Sequence, residues 1–112
     1  MSQVTEQAAF LLDICNFIQY ATSQGFVVTQ GEAQRPVEMQ EIYVKTGRSK
    51  TMDSRHLVRM AQDLNFFIAG KYITKKEHLQ ELGNYWESLH PKNSWGGNWN
   101  NFKDTPHFER RG

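Results

Sequence analysis

The chain has one cysteine, Cys15, in 112 residues, so no intrachain disulfide can staple it and its fold must rest on a packed core. A chain of this length has room for one modest core and little for accessory modules, which makes residues 1–112 a single expected domain. Hydrophobic residues at 38% and charged residues at 22% describe an ordinary globular protein and exclude a disordered or fibrous one. A formal charge of +1 gives no field to steer the chain onto nucleic acid or an anionic membrane, so neither is an expected partner. The start, Met1-Ser2-Gln3-Val4-Thr5-Glu6-Gln7, lacks the positive charge and apolar run of a secretory signal. No stretch approaches the ~18 apolar residues of a membrane span. The chain reads as one made and folded in the cytoplasm.

Ala8, Leu11, Leu12, Cys15, Ile18 and Ala21 recur at helical spacing, which predicts an amphipathic helix from about Thr5 to Gln24, ended by Gly25, with Cys15 in the core. Phe26 to Thr29 reads as a short strand, and Gln30 to Gln34 as a polar turn. Pro36 suits the first turn of a second helix that Gly47 stops, and Arg48 to Asp53 follows as a polar loop. Asp63 to Ile73, rich in aromatic and branched residues but interrupted by Ala69-Gly70, predicts two strands joined by a tight turn, with a helix as the competing reading. Thr74 and Glu77 form a capping-box pattern for a helix that runs to about Leu89 and ends before Pro91. Asn93 to Glu109, dense in Trp, Gly and Asn, has no helical period and reads as an ordered loop leading into a short strand. Arg110-Arg111 reads as a solvated tail.

Of the four histidines, His56 and His107 stand near carboxylates in a way that metal chemistry would explain. His56 precedes Asp63 by seven residues, and zinc accepts imidazole nitrogen and carboxylate oxygen together at ~2.0 to 2.2 Å. His107 can supply a further nitrogen and leave a fourth position for water, the arrangement of catalytic zinc. Asp104 lies three residues before His107, with Pro106 fixing one backbone angle between them. Zinc lowers the pKa of a bound water to ~7, and a carboxylate placed as Asp104 is can accept its proton. Residue types alone leave the ordinary reading open at each position. His56 is then a loop histidine, Asp63 a turn or cap residue, Asp104 solvated and His107 part of a frayed terminus. His78 and His90 fit that ordinary reading. Trp95 and Trp99 are core aromatics or a substrate platform.

The segment Ser54-Arg55-His56-Leu57-Val58-Arg59-Met60-Ala61-Gln62-Asp63 resembles the Ser-x-His-x-x-Gly-x-Ala-x-Asp signature of the zinc D-alanyl-D-alanine carboxypeptidase and L-alanyl-D-glutamate endopeptidase family. It matches at four of the five fixed positions, with Arg59 where glycine is usual. Asp104-Thr105-Pro106-His107-Phe108-Glu109 is similar to the second signature of that family in its short phage endolysin members, an acidic residue three places before the last zinc histidine. Arg35-Pro36-Val37-Glu38-Met39-Gln40 resembles a third feature, an arginine ahead of a glutamate and a glutamine. The two principal motifs stand in the family's order at opposite ends of the chain.

The resemblance implies an α+β fold of the Hedgehog and D,D-peptidase type, a short antiparallel sheet with helices packed on one side. It implies one Zn2+ held by His56, Asp63 and His107, Asp104 as the proton shuttle and Arg35 on the substrate carbonyl. Ser54, Gln40, Trp95 and Trp99 become candidate substrate contacts. The implied reaction is hydrolysis of an amide in the peptidoglycan stem peptide by a monomer, as in a phage endolysin released to the cell wall from the cytoplasm. A D,D-carboxypeptidase that removes terminal D-alanine, a zinc-stabilised wall-binding domain without catalysis, and a helical interaction module without metal are the alternatives.

Overall fold

The computed structural model describes residues 3–31, 60–100 and 103–111. The expected second helix and the loop after it, together with Arg35, Gln40, Ser54, His56 and Arg59, lie outside the described residues. Within them the order is α1 (Gln3–Ser23), β1 (Val27–Gln30), β2 (Ala61–Ile68), β3 (Lys71–Ile73), α2 (Lys76–Leu89), β4 (Asn93–Trp95), a 3-10 turn (Gly96–Asn98) and β5 (His107–Arg110). The strands pair antiparallel in the order β1-β2-β5-β4, with β3 also on β2. Among the described residues the fold is α+β, two helices packed on a small antiparallel sheet, as the resemblance implied.

The eight residues of β2 organise the sheet because its two edges serve different partners. The Asp63 carbonyl accepts from Gly31 N–H at 2.7 Å on the β1 side, whereas Leu64 N–H donates to the Pro106 carbonyl at 2.9 Å on the β5 side. Successive side chains point to opposite faces of a strand. Leu64 and Phe66 therefore enter the core, while Asp63, Asn65 and Phe67 lie on the other face and are only part-buried. The turn between β2 and β3 is Ala69-Gly70, with φ of 51° and 78°, the two positive values that a two-residue hairpin turn requires.

The core is aromatic. Phe17, fully buried, packs its ring 4.7 Å from Phe108, 5.9 Å from Trp86 and 6.1 Å from Phe66, centroid to centroid. α1 buries Phe10, Ile14, Phe17 and Ala21. That corrects the predicted face: Leu11 and Leu12 are exposed at 59% and 65%, and Cys15 is exposed too. The two phenylalanines, seven residues apart, bring more apolar area than the leucines and set the helix's rotation. Gly25, at φ +97°, ends the turn after α1.

The capping box is also corrected. α2 begins at Lys76, and its cap position, Lys75, is extended with no side-chain cap hydrogen bond. Thr74 instead offers its carbonyl to the Thr105 hydroxyl at 3.0 Å. The expected loop after Pro91 contains β4, which pairs Asn93 with Arg110 and Trp95 with Phe108. Arg110 is not a solvated tail residue but 6% exposed. It donates to Asn93 Oδ1 at 2.9 Å and to Asp13, tying β5 to β4 and α1.

Trp95 is fully buried and its indole N–H donates to the Thr105 carbonyl at 2.8 Å. Its ring lies in a slot between Gly83 of α2 and Gly97, where a Cβ at either glycine would run into the indole. Helix propensity favours alanine over glycine by roughly 0.5–1 kcal/mol, but overpacking a filled core costs about 1–3 kcal/mol, so the clash should win. Gly83→Ala is expected to lower stability in urea or thermal unfolding. A variant at least as stable as the parent would show that the slot is not tight.

Candidate metal centre

The site grows out of the pairing of β2 with β5. Asp63 stands directly opposite His107 in that ladder, so the two side chains share the sheet face turned away from the core. The neighbours Gln62 and Phe108 pair on the opposite face, where Phe108 is core. His107 Nδ1 lies 3.4 Å from Asp63 Oδ1. Glu109, two residues further along β5, returns to the same face, and its Oε1 lies 2.7 Å from His107 Nε2. The imidazole is thus held between two carboxylates, one at each ring nitrogen.

Asp104 comes to the same place by a turn. His107 N–H donates to the Asp104 carbonyl at 3.1 Å, and Asp104 N–H donates to the Gly96 carbonyl at 3.1 Å. A Cβ at Gly96 would collide with the Asp104 carbonyl, so only glycine allows this approach. Donor atoms of Asp63, Asp104 and His107 all lie within 4.8 Å of one another. Around a tetrahedral ion with ligands at ~2.0 to 2.2 Å the donor atoms stand about 3.3 to 3.6 Å apart, so this set would draw in by up to about 1.5 Å to hold one. One imidazole nitrogen with carboxylate oxygens is a donor set that suits zinc and several other divalent ions.

Burial alone pushes the His107 imidazole below its ordinary 6.5, but the hydrogen bonds and charges of Asp63 and Glu109 outweigh it and carry its pKa up to about 9. Trp99 packs over the same residue, its ring centroid 5.1 Å from that of His107 and its indole N–H donating to Ser94 Oγ at 2.9 Å. Arg111 stands 5.8 Å above the Trp99 ring and 3.3 Å from Glu109 Oε2.

Of the residues singled out in the sequence, Asp63, Asp104 and His107 meet at one place, and Trp99 borders it. Trp95 does not, because full burial between two glycines leaves it no contact with a substrate, and it is withdrawn as a binding residue. His56, Arg35, Ser54 and Gln40 lie outside the described residues. Glu109 was missed. The available signal was its i+2 relation to His107 on a strand, which puts both on one face.

The model of the D-alanyl-D-alanine carboxypeptidase family matches residues 47–110, more than half of the chain. The chain belongs to this family. It is 33% identical over 95 residues to the L-alanyl-D-glutamate peptidase of Listeria phage A118, a match that covers 82% of this chain and 33% of that protein. The chain thus spans about a third of the length of that relative. It also resembles the crystal structure of the Serratia marcescens L-Ala D-Glu endopeptidase ChiX, with a TM-score of 0.71 and 26% identity over 88% of this chain and 78% of that one. No helix among the described residues is long and apolar enough to cross a membrane.

The raised pKa of His107 sets a pH dependence for protein stripped of metal. Because the folded value of about 9 exceeds the unfolded 6.5, the stabilisation is full below pH 6.5 and is lost as pH rises through 9. The melting temperature of chelator-treated protein should therefore fall across that window, and His107→Gln should flatten the fall. An equally steep profile in the variant would assign the effect to other groups.

Proposed function

We propose that this chain is a zinc-dependent peptidase that cuts the L-alanyl-D-glutamate bond in the stem peptide of peptidoglycan, in the manner of a phage endolysin. The observation that carries the reading is the meeting of Asp63, Asp104 and His107 at one place, from segments about forty residues apart in sequence, on the sheet face turned away from the aromatic core. The two relatives, whose names specify an L-Ala/D-Glu peptidase, favour this bond over terminal D-alanine, which the family's description favours.

In this reading residues 1–112 form one catalytic domain in which His56, Asp63 and His107 hold the ion. Zinc there supplies a Lewis acid and lowers the pKa of water to about 7. The Asp104 carboxylate takes the proton of the attacking water and delivers it to the nitrogen of the leaving amine, while the Arg35 guanidinium steadies the developing oxyanion. Trp99, beside His107, forms a wall of the substrate cleft, and Ser54 and Gln40 supply polar contacts to the stem peptide. The protein acts at the cell wall as a monomer.

Incubation with purified peptidoglycan, with and without chelator, followed by mass spectrometry of the new termini, tests the bond. New N-terminal D-glutamate that disappears with chelator is expected. Release of free D-alanine instead would favour the carboxypeptidase reading.

A second experiment separates ligand from base. Asp104→Ala should retain zinc while turnover drops by roughly 10²- to 10⁴-fold, whereas His107→Ala should lose both. Near-normal turnover in Asp104→Ala would remove it as the proton shuttle. Loss of zinc from that variant would make Asp104 a ligand.

A further inference from the structure

Glu109 is an acidic side chain that neither the proposed ligand set nor the proposed proton transfer uses, yet it is only 10% exposed. A carboxylate is costly to bury unless its oxygens are engaged. Its two engagements differ in kind. Arg111, 3.3 Å from Oε2, is 61% exposed, so that pair is screened by solvent and worth little. His107 Nε2, 2.7 Å from Oε1, is buried with it and makes the short, charge-assisted bond.

The placement of Glu109 is rigid. β5 is an interior strand, and Glu109 pairs with Ala61 of β2 on one side and Ser94 of β4 on the other. Its carbonyl also accepts the Trp86 indole N–H at 3.3 Å. Both cross-strand neighbours carry small side chains, which leaves space on the site face for the glutamate to reach along the strand to His107.

We propose that Glu109 is the positioning residue of the metal centre: its carboxylate accepts the Nε2–H of His107 and so presents Nδ1, lone pair outward, to the ion held with Asp63. The inference rests on the proposed metal centre but adds which ring nitrogen binds and what selects it. A carboxylate faces each ring nitrogen, and the nearer one decides where a single proton rests. Glu109 Oε1 stands 2.7 Å from Nε2, against 3.4 Å for Asp63 Oδ1 from Nδ1, so the proton stays on Nε2. In the neutral ring the other nitrogen is then the acceptor. That other nitrogen, Nδ1, is the one 3.4 Å from Asp63 Oδ1. An outer carboxylate of this kind both orients the ring and makes it a better donor to metal, and its removal typically costs 10- to 100-fold in metal affinity.

The test uses the whole chain and zinc alone, with affinity read by competition against a chromophoric chelator. Glu109→Met, close in volume but unable to accept, should weaken zinc binding by about 10- to 100-fold, and Glu109→Gln, which keeps an oxygen, should recover part of that loss. Unchanged affinity in Glu109→Met would overturn the assignment, as would equal losses in both variants. A second readout needs no variant and no metal: long-range ¹H–¹⁵N correlation spectra of metal-free protein at alkaline pH, where the ring is neutral. The Nε2–H tautomer of His107 is expected in the parent, and the Nδ1–H tautomer would overturn the proposal even if Glu109→Met failed to fold. A parent chain that shows the Nε2–H tautomer but binds no zinc would refute the proposed function and leave the positioning contact standing.

Discussion

The pairing of β2 with β5 is the constraint on which the rest depends, because it fixes the register of two faces at once. Opposite Asp63 stands His107, and opposite Gln62 stands Phe108. The first pair belongs to the site and Phe108 belongs to the core, where it meets Phe17, Phe66, Trp86 and Trp95. A slip of one residue would exchange the faces, sending an imidazole into an aromatic core and a phenylalanine into the polar site. The hydrophobic effect that buries Phe108 therefore also selects the alignment in which Asp63 and His107 meet.

The turn that carries Asp104 is held from the core side. Trp95 anchors it through the Thr105 carbonyl, and the slot between Gly83 and Gly97 fixes the indole. Glu87 of α2 accepts the Trp95 backbone N–H and the Asn98 side chain, both at 3.0 Å. The position of Asp104 is thus set by contacts with α2 as well as by the sheet.

Much of this was legible in the sequence, for identifiable reasons. The ends of the helices follow from Gly25 and Pro91, and the hairpin from Ala69-Gly70 between apolar runs, since backbone geometry there is a local property. Asp63, Asp104 and His107 stood out because chemistry-bearing residues fell into two spaced motifs. What failed was whatever depended on tertiary partners. The face of α1 is set by the larger pull of Phe10 and Phe17, which the helical spacing of the leucines does not reveal. β4 was hidden because Asn93-Ser94-Trp95 has little strand propensity and exists by pairing with β5. Arg110 read as a tail residue because nothing local reveals Asp13, almost a hundred positions earlier.

The strand order β1-β2-β5-β4 places the strand synthesised last among those described in the interior of the sheet. A nascent chain completed only through β4 has neither His107 nor the partner that β2 and β4 both need. Its aromatic core also lacks Phe108. Local contacts cannot substitute, because the closing step joins segments far apart in sequence and carries the loop-closure cost of such pairings. Assembly of the candidate centre therefore waits until β5 has been made, because a chain that stops after β4 still lacks both Asp104 and His107.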